Sequence, residues 1–351
     1  MSETKPNIPI IDISCFAEPD DKKDSDTTKL TDSQQAVATQ LRQACEHVGF
    51  FYIVGHGCPP AVVSEMMDFV QKLFDLPLDA KLEYEAHKNP LWRGYNSLER
   101  GAHSCTPEEK SDVPKKDQKE SFTIGAEPPT SDVNISPMHG PNQWPDERKT
   151  ASIAGFEQTA RKYWKNLMNP VATRLMRAMA ASLELPLDFF TSRAQRSPHP
   201  QMVLLRYPPT KETGCGDNDG DCQGCGAHTD CGFLTILTQD QEGLQVRQKD
   251  GSWAMAPPMA DAFVVNLGDM MAHWTNDKYQ STEHRVTNPS AIKTRHSIPF
   301  FATVDYDTTI APIPSCRDFR GGAVYEACQS GEYILGKLGL MHLASKHEKS
   351  G

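Results

Sequence analysis

Six short β-rich runs in the second half of the chain constrain its fold more than any other feature. They are rich in β-branched and aromatic residues, and turn dipeptides such as Glu242-Gly243 and Asp250-Gly251 separate them. Many short strands at such spacing predict two packed sheets, as in a sandwich or a double-sheet barrel. The runs cover residues 201–207, 232–239, 244–248, 261–267, 283–287 and 296–304.

Helical patterns flank this β-rich region, so the chain is expected to be α+β. Apolar residues recur at helical spacing in four segments, and Pro170 lies inside the longest of them, where a kink or a break is expected. We expect helices over residues 32–48, 60–74, 151–185 and 321–345, and short strands over 8–13 and 50–54.

Charge and hydropathy exclude several classes of partner. The net charge is −10 and no basic block is present, so nucleic acid and anionic membranes are poor candidates. Apolar runs such as Ala262–Val265 are too short to span a bilayer, and no signal peptide is visible. We therefore expect the ten cysteines to be thiols in a cytoplasmic protein. No segment reads as an obligate interface, which favours a monomer.

A metal site is indicated by His228, Asp230 and His284. His228 and Asp230 are two positions apart, so both side chains point the same way from an extended strand. Two imidazoles and one carboxylate form a facial triad with open positions, which suits non-haem Fe(II) and O2 chemistry. Taken alone, the first pair would more often be a histidine at a strand end beside a turn aspartate.

An anion clamp is indicated by Arg295 and Ser297, which share one face of an expected strand. A guanidinium and a hydroxyl together fit a carboxylate, because the fork of N–H donors pairs with two oxygens. Tyr207 could add a further hydroxyl to the same anion. The alternatives are a surface salt bridge for Arg295 and a core aromatic for Tyr207.

These motifs together resemble the iron(II)/2-oxoglutarate-dependent dioxygenases, and within them the isopenicillin N synthase-like branch. The resemblance runs over about residues 7–304 and is carried by many segments besides the site motifs. They are Ile8-Pro9-Ile10-Ile11-Asp12, Gly49-Phe50-Phe51-Tyr52-Ile53-Val54-Gly55-His56-Gly57, Arg93-Gly94-Tyr95, Lys119-Glu120-Ser121-Phe122, Leu234-Thr235-Ile236-Leu237, Gly243-Leu244-Gln245-Val246 and Val264-Val265-Asn266-Leu267-Gly268-Asp269-Met270.

The resemblance implies a double-stranded β-helix (jelly-roll) core flanked by N-terminal and C-terminal helices. It implies an N-terminal region over 7–130, the oxygenase core over 200–304 and a C-terminal helix and tail over 305–351, all in one integrated unit. It further implies that His228, Asp230 and His284 bind Fe(II), and that Arg295, Ser297 and Tyr207 bind 2-oxoglutarate.

By the same resemblance, the chain is an oxygenase of a small specialised metabolite. O2 would oxidise a C–H bond by hydroxylation, desaturation or ring closure, while 2-oxoglutarate becomes succinate and CO2; ascorbate is a candidate reductant. One departure is Leu205-Arg206-Tyr207-Pro208, where plant members usually carry Asn-Tyr-Tyr-Pro, so a plant hormone or flavonoid substrate is disfavoured.

The substrate would lie at the mouth of the jelly roll. By resemblance, the candidates to contact it are Arg93, Tyr95, Lys119, Phe233 and Phe300. A guanidinium of Arg93 or Arg206 would favour a substrate with a carboxylate. For Arg93, a scaffold role with a backbone or carboxylate partner is the stronger interpretation.

Four cysteines cluster just before and within the metal motif: Cys215, Cys222, Cys225 and Cys231. The central pair has the spacing of half a zinc site. The outer spacing is irregular, which favours an insertion loop with free thiols.

Other functions remain open at this point. An iron oxidase that does not use 2-oxoglutarate, or an ethylene-forming enzyme of the same family, would fit the same triad. A non-catalytic metal-binding jelly roll is a third alternative, although such a protein has no need of open metal positions.

Overall fold

Two β-sheets face each other at the centre of the computed structural model, which describes residues 8–17, 29–98, 117–128, 136–213, 223–287, 290 and 292–339. The strands are β1 Ile10–Asp12, β2 Phe50–Val54, β3 Gly94–Asn96, β4 Glu120–Gly125, β5 Gln201–Tyr207, β6 Gln223–His228, β7 Leu234–Gln239, β8 Leu244–Arg247, β9 Trp253–Met255, β10 Phe263–Leu267, β11 His284–Thr287, β12 Arg295–Ala302, β13 Thr309–Ile310 and β14 Cys328–Gln329.

The large sheet has eight strands in the order β1-β2-β10-β7-β12-β5-β4-β3, and the smaller sheet has four in the order β6-β11-β8-β9. Strands β13 and β14 form a separate two-stranded sheet. All the pairs in the two main sheets are antiparallel except β1 with β2. The expected two-sheet core is confirmed.

Helices cover the outer face of the large sheet. The α-helices of the described residues are α1 Asp32–His47, α2 Pro60–Phe74, α3 Leu78–Leu82, α4 Phe156–Asn166, α5 Thr173–Ser182, α6 Thr210–Thr213, α7 Asp269–Trp274 and α8 Ser330–Lys337. Thr31 begins α1 through a capping box with Gln34, in which each side chain accepts from the other residue's backbone N–H. The long pattern over 151–185 is split into α4 and α5 by an irregular turn around Pro170, as expected from that residue.

Two apolar clusters divide the interior, and the alternation of side chains along each strand decides which cluster a residue joins. The cluster between the two sheets, which we call the inter-sheet cluster, contains Phe50, Tyr207, Cys225, Leu237, Leu244, Val246, Val264 and Val286. The cluster between the large sheet and the helices, the helix-side cluster, contains Leu204, Phe233, Ile236, Ile298 and Phe300 among many others.

The structure also corrects several sequence-based expectations. Strands β3, β4, β6, β9, β13 and β14 were not expected, because they are short or rich in glycine and polar residues. The helix expected over 321–345 is observed as α8 alone, since residues 321–327 are irregular and 340–345 lie outside the described residues. Within the described residues, no helix combines the length and apolar character needed to cross a bilayer.

Candidate active site

The structure brings His228, Asp230 and His284 together at one end of the smaller sheet. His228 ends β6 and His284 begins β11, and the two are direct cross-strand partners. Asp230 Oδ1 lies 3.8 Å from His228 Nε2 and 3.7 Å from His284 Nε2. One ligand atom from each residue lies within 4.8 Å of the others, and among the described residues no other cluster of three or more such side chains meets this spacing.

Backbone carbonyls set the orientation of both imidazoles. The Nδ1–H of His228 donates to the carbonyl of Gly226 at 2.7 Å, and that of His284 to the carbonyl of Thr282 at 3.1 Å. Each hydrogen bond leaves Nε2 turned toward Asp230 Oδ1. A metal-binding histidine is typically oriented in this way.

The second oxygen of Asp230 is occupied by two side chains on neighbouring strands of the large sheet. Thr235 Oγ1 donates to Asp230 Oδ2 at 2.5 Å, and Asn266 Nδ2 donates to the same atom at 2.7 Å. Gly268 lets the chain after β10 pass close to the Asp230 loop, because a Cβ there would collide with the carbonyl of Gly232. The loop is thereby fixed with Oδ1 facing the two imidazoles.

Sequence reasoning did not identify Thr235 and Asn266 as support for the site. Asn266 is a polar residue inside the apolar run Val264–Leu267 and is only 3% exposed. A buried amide in the middle of a strand needs a hydrogen-bond partner. The buried polar residue was visible in the sequence, but its partner, Asp230, lies 36 positions away along the chain and could not be identified from the sequence.

Burial and mutual interactions set the protonation of the three residues. Burial lowers the pKa of His284 to about 4, so its imidazole is neutral. Burial also opposes protonation of His228, but Cys225 and Asp230 outweigh it and raise its pKa to about 10. Burial opposes ionisation of Asp230, whereas the two imidazoles, Asn266 and Thr235 lower its pKa. A cation bound at His228 Nε2 therefore displaces a proton.

The anion clamp expected from sequence also has its groups together. Arg295 and Ser297 lie on the same face of β12, and Arg295 Nη1 donates to Ser297 Oγ at 3.1 Å. Gln239 Oε1 and the carbonyl of Gln241 hold the rest of the guanidinium. Tyr207 is the cross-strand partner of Arg295, whose guanidinium carbon lies 4.9 Å from the centre of the phenol ring.

Tyr207 supplies a neutral hydroxyl to this group. Its pKa is raised chiefly by burial, with a further contribution from Cys225. Burial lowers the pKa of Arg295, but an arginine remains charged in proteins at any ordinary pH. The clamp thus combines one positive charge with two hydroxyls.

Four of the five substrate candidates, Phe300, Phe233, Arg93 and Tyr95, point away from the space between the sheets, which corrects the sequence-based expectation. Phe300 follows Ser297 by an odd number of positions, so it faces the helices, where its ring packs edge-on against Trp164 at 5.2 Å. Phe233 packs against Phe190 and Trp274 in the helix-side cluster.

Arg93 is the third, and it is 1% exposed. Its guanidinium donates to the carbonyls of Gly140, Ala126 and Met138. These partners give Arg93 a scaffold role, the alternative that sequence reasoning favoured for it.

Tyr95 belongs to a buried ionic network centred on Glu120. The phenol of Tyr95 donates to Glu120 at 2.5 Å, and Lys81 and Arg206 form ion pairs with the same carboxylate at 2.6 and 2.8 Å. Arg206 also pairs with Glu212 at 2.8 Å. The guanidiniums of Arg93 and Arg206 are thus both taken up by other partners, which removes the argument for a carboxylate-bearing substrate.

Lys119 alone among the five candidates points into the space near the metal cluster. Its Nζ lies 2.9 Å from Cys225 Sγ and 2.9 Å from Asp117 Oδ2. Of the other clustered cysteines, Cys231 forms no disulfide and packs beside the helix-side cluster, and Cys215 and Cys222 lie outside the described residues. Cys225 therefore faces the inter-sheet cluster and not a shared site with Cys231.

Two family models match the chain. The one described as "non-haem dioxygenase in morphine synthesis N-terminal" matches residues 8–147, and the one described as "2OG-Fe(II) oxygenase superfamily" matches residues 198–304. The second match contains the three clustered ligands and the clamp.

Curated relatives cover almost the whole chain. The chain is similar to homoarginine-6-hydroxylase 2-ODD-233 of Oryza sativa subsp. japonica, with 32% identity over 94% of this chain and 96% of the relative. It is also similar to the 2-oxoglutarate-dependent dioxygenase caaD of Aspergillus niger, with 36% identity over 88% of both chains.

Solved structures extend the likeness to the fold. A full-length protein of Neurospora crassa, solved in complex with alpha-KG, superposes with a TM-score of 0.76 at 28% identity, over 97% of this chain and 98% of its own. The same protein is also known in complex with alpha-KG and thymine. The likeness confirms the expected jelly-roll core with flanking helices.

Proposed function

This chain belongs to the 2-oxoglutarate–Fe(II) oxygenase superfamily, and from that premise we propose which of its residues carry the activity. Its cofactor is Fe(II), and 2-oxoglutarate and O2 are its cosubstrates. We assign the metal to His228, Asp230 and His284. We assign 2-oxoglutarate to Arg295, Ser297 and Tyr207.

The donor set fits the metal. Fe(II) in this class takes two imidazoles and one carboxylate on one face and leaves the remaining positions open. Here both Nε2 atoms and Asp230 Oδ1 converge, while Oδ2 is held by Thr235 and Asn266. The convergence of these three ligand atoms within 4.8 Å is the observation that carries the assignment.

The clamp fits a dicarboxylate. Arg295, Ser297 and Tyr207 lie at the adjoining ends of β12 and β5, on the face turned toward the inter-sheet cluster. A carboxylate between them would accept from the guanidinium fork and the hydroxyls, so these residues would hold one end of 2-oxoglutarate.

With both groups bound, the site supplies oxidation of a substrate C–H bond by O2, coupled to conversion of 2-oxoglutarate into succinate and CO2. The protein's own residues bind, orient and exclude water. Phe50 packs edge-on against His284 at 5.2 Å and, with the rest of the inter-sheet cluster, keeps the space around the ligands apolar. Placement of one C–H bond then decides between hydroxylation, desaturation and ring closure.

We propose that the substrate is a small molecule of specialised metabolism. The relatives support a small substrate, because one is named for homoarginine and another binds thymine. We also propose a cytoplasmic monomer; the cytoplasmic part is supported by the seven described cysteines, none of which forms a disulfide.

Succinate formation tests the assignment. We expect turnover that requires Fe(II), 2-oxoglutarate and a substrate, and that His228→Ala abolishes. The matched control is His87→Ala, which removes an exposed histidine and is expected to keep wild-type turnover. Full turnover by His228→Ala would contradict the proposed ligand set.

A further inference from the structure

A lysine and a cysteine that the proposed reaction does not use lie in contact beside the metal cluster. Lys119 Nζ is 2.9 Å from Cys225 Sγ, and that sulfur is 3.8 Å from His228 Nδ1. The side chain of Lys119 is 11% exposed, and Cys225 is buried in the inter-sheet cluster. An amine and a thiol are therefore held together at the site where O2 is consumed.

The backbone fixes this contact. The segment before β4 is held against β6 by two hydrogen bonds, from Gln118 N to the carbonyl of Gln223 at 3.1 Å and from Gly226 N to Asp117 Oδ1 at 2.9 Å. Asp117 also binds Lys119 Nζ from its other carboxylate oxygen. The nitrogen and the sulfur cannot separate far without breaking these contacts.

We propose that Lys119 and Cys225 form an oxidative modification site, in which O2 joins Nζ to Sγ through one bridging oxygen atom. The activity supplies the oxidant, because O2 is its cosubstrate. The inference rests on the proposed function only because that function brings O2 to the site.

The reaction balances from the ammonium and thiolate pair, or equally from the neutral amine and thiol. One atom of O2 becomes the bridge between nitrogen and sulfur, and the other leaves as water with two of the three hydrogens carried by the pair. Nitrogen and sulfur each give up two electrons, and O2 takes all four. The third hydrogen remains on the nitrogen, and a thiol reductant reverses the step by returning four electrons and releasing the bridge as water.

The link would change the site in two ways. It removes the positive charge of Lys119 from the inter-sheet space, and it ties the start of β4 covalently to β6, the strand that ends in His228. Oxidation of a cysteine thiol requires access to the oxidant. Cys225 meets that condition through its place beside the metal cluster, although it is closed to bulk solvent.

Two other buried cysteines, Cys45 and Cys58, have contacts of a different kind. The thiol of Cys45 contacts Met179 Sδ at 4.0 Å, and that of Cys58 contacts the carbonyl of Pro59 at 3.8 Å. Oxygen can add to either sulfur, but neither of these contacts offers an amine for a link. Cys45 is therefore the matched control.

The test is mass spectrometry of the full chain. Protein purified and reduced without O2 is loaded with Fe(II) and 2-oxoglutarate, exposed to air without substrate, alkylated and digested with trypsin. We expect one cross-linked peptide pair that contains Lys119 and Cys225, with the mass of both peptides plus one oxygen and minus two hydrogens. Trypsin should fail to cut after Lys119 in that product, and dithiothreitol should restore both free peptides.

Three variants sharpen the outcome. Cys225→Ser and Lys119→Arg should each abolish the product, and Cys45→Ser should leave its yield unchanged. Recovery of Lys119 and Cys225 as free peptides in air-exposed wild type would overturn the proposal. So would Cys225 found as sulfinic or sulfonic acid beside an unmodified Lys119. A titration of the same sample with 2-oxoglutarate before air is admitted tests the proposed function separately.

Discussion

Each proposed iron ligand has a hydrogen-bond partner behind it, and these partners determine which atom faces the metal. The carbonyls of Gly226 and Thr282 orient the two histidines, while Thr235 and Asn266 hold the outer oxygen of Asp230. At this scale the sequence predicted the three ligands from their residue types and spacing, although β6 ends at His228 and Asp230 lies in the loop that follows it. It did not predict Thr235 and Asn266, because only the folded sheet brings them to Asp230.

Loss of the Thr235 hydroxyl should weaken metal binding. Thr235→Val keeps the shape of the side chain but leaves Asp230 Oδ2 with one donor fewer. Removal of such a partner typically lowers metal affinity by about 10- to 100-fold, and we expect a loss in that range for Fe(II). Anaerobic competition with a chromogenic chelator measures it.

Thr238→Val is the control for this variant. It lies on the same strand, is similarly buried, and faces the opposite side of the sheet. Its Fe(II) affinity should match wild type. Equal affinities for all three proteins would mean that the Thr235 hydrogen bond does not support the metal.

Among the elements, strand β12 has one face that forms the proposed clamp and one face that packs in the hydrophobic core. Arg295 and Ser297 face the inter-sheet cluster, and Ile298 and Phe300 face the helices. Side chains alternate between the two faces of a strand, so the sequence correctly predicted that Arg295 and Ser297, two positions apart, share a face. The expectation for Phe300 was wrong for the same reason, since its parity is opposite.

Truncation of Phe300 should therefore reduce stability and leave cosubstrate binding intact. Phe300→Ala removes a fully buried ring packed on Trp164, and such changes cost about 3–5 kcal/mol of unfolding free energy. Urea unfolding measures the loss, and the KM for 2-oxoglutarate should stay at the wild-type value. A raised KM with unchanged stability would place Phe300 in the site after all.

The other elements were easier to predict when they were long and had a regular apolar spacing. Helix α1 was expected because a strong apolar period follows a capping residue, Thr31. Strand β6 was not expected, because its sequence is rich in glycine and lacks the β-branched residues typical of a strand. Its pairing with β11 places His228 opposite His284. Helix α8 is shorter than expected, because apolar spacing continues through residues that form irregular structure.

Across the whole molecule, several histidines are buried in neutral form. Burial, followed by the nearby His139, lowers the pKa of His199 to about 3. Burial is also the main reason for the lowered pKa of His56 and of His139. These groups make the stability of the fold depend on pH.

The sign of this dependence follows from proton binding. In the unfolded chain a histidine has a pKa of about 6.5, so below that pH the unfolded state binds more protons than the folded one. Stability should therefore be full above about pH 6.5 and fall as the pH drops toward the folded pKa, by up to about 1.4 kcal/mol per pH unit for His199.

Urea unfolding at about pH 7.5 and about pH 5.5 measures this effect. His199→Leu should show a smaller loss between the two conditions than wild type, because the variant lacks that titrating group. An identical loss in both proteins would show that His199 does not contribute to the acid sensitivity.

The central claim is that the three clustered ligands bind Fe(II) and that the clamp on β12 holds 2-oxoglutarate beside it. An anaerobic titration of the Fe(II)-loaded protein with 2-oxoglutarate, followed through the weak visible charge-transfer band of the chelate, tests both parts at once. We predict a band that saturates in wild type and is lost in Arg295→Ala. Tightly bound Fe(II) with no band would contradict the role of the clamp, and failure to bind Fe(II) would contradict the ligand set.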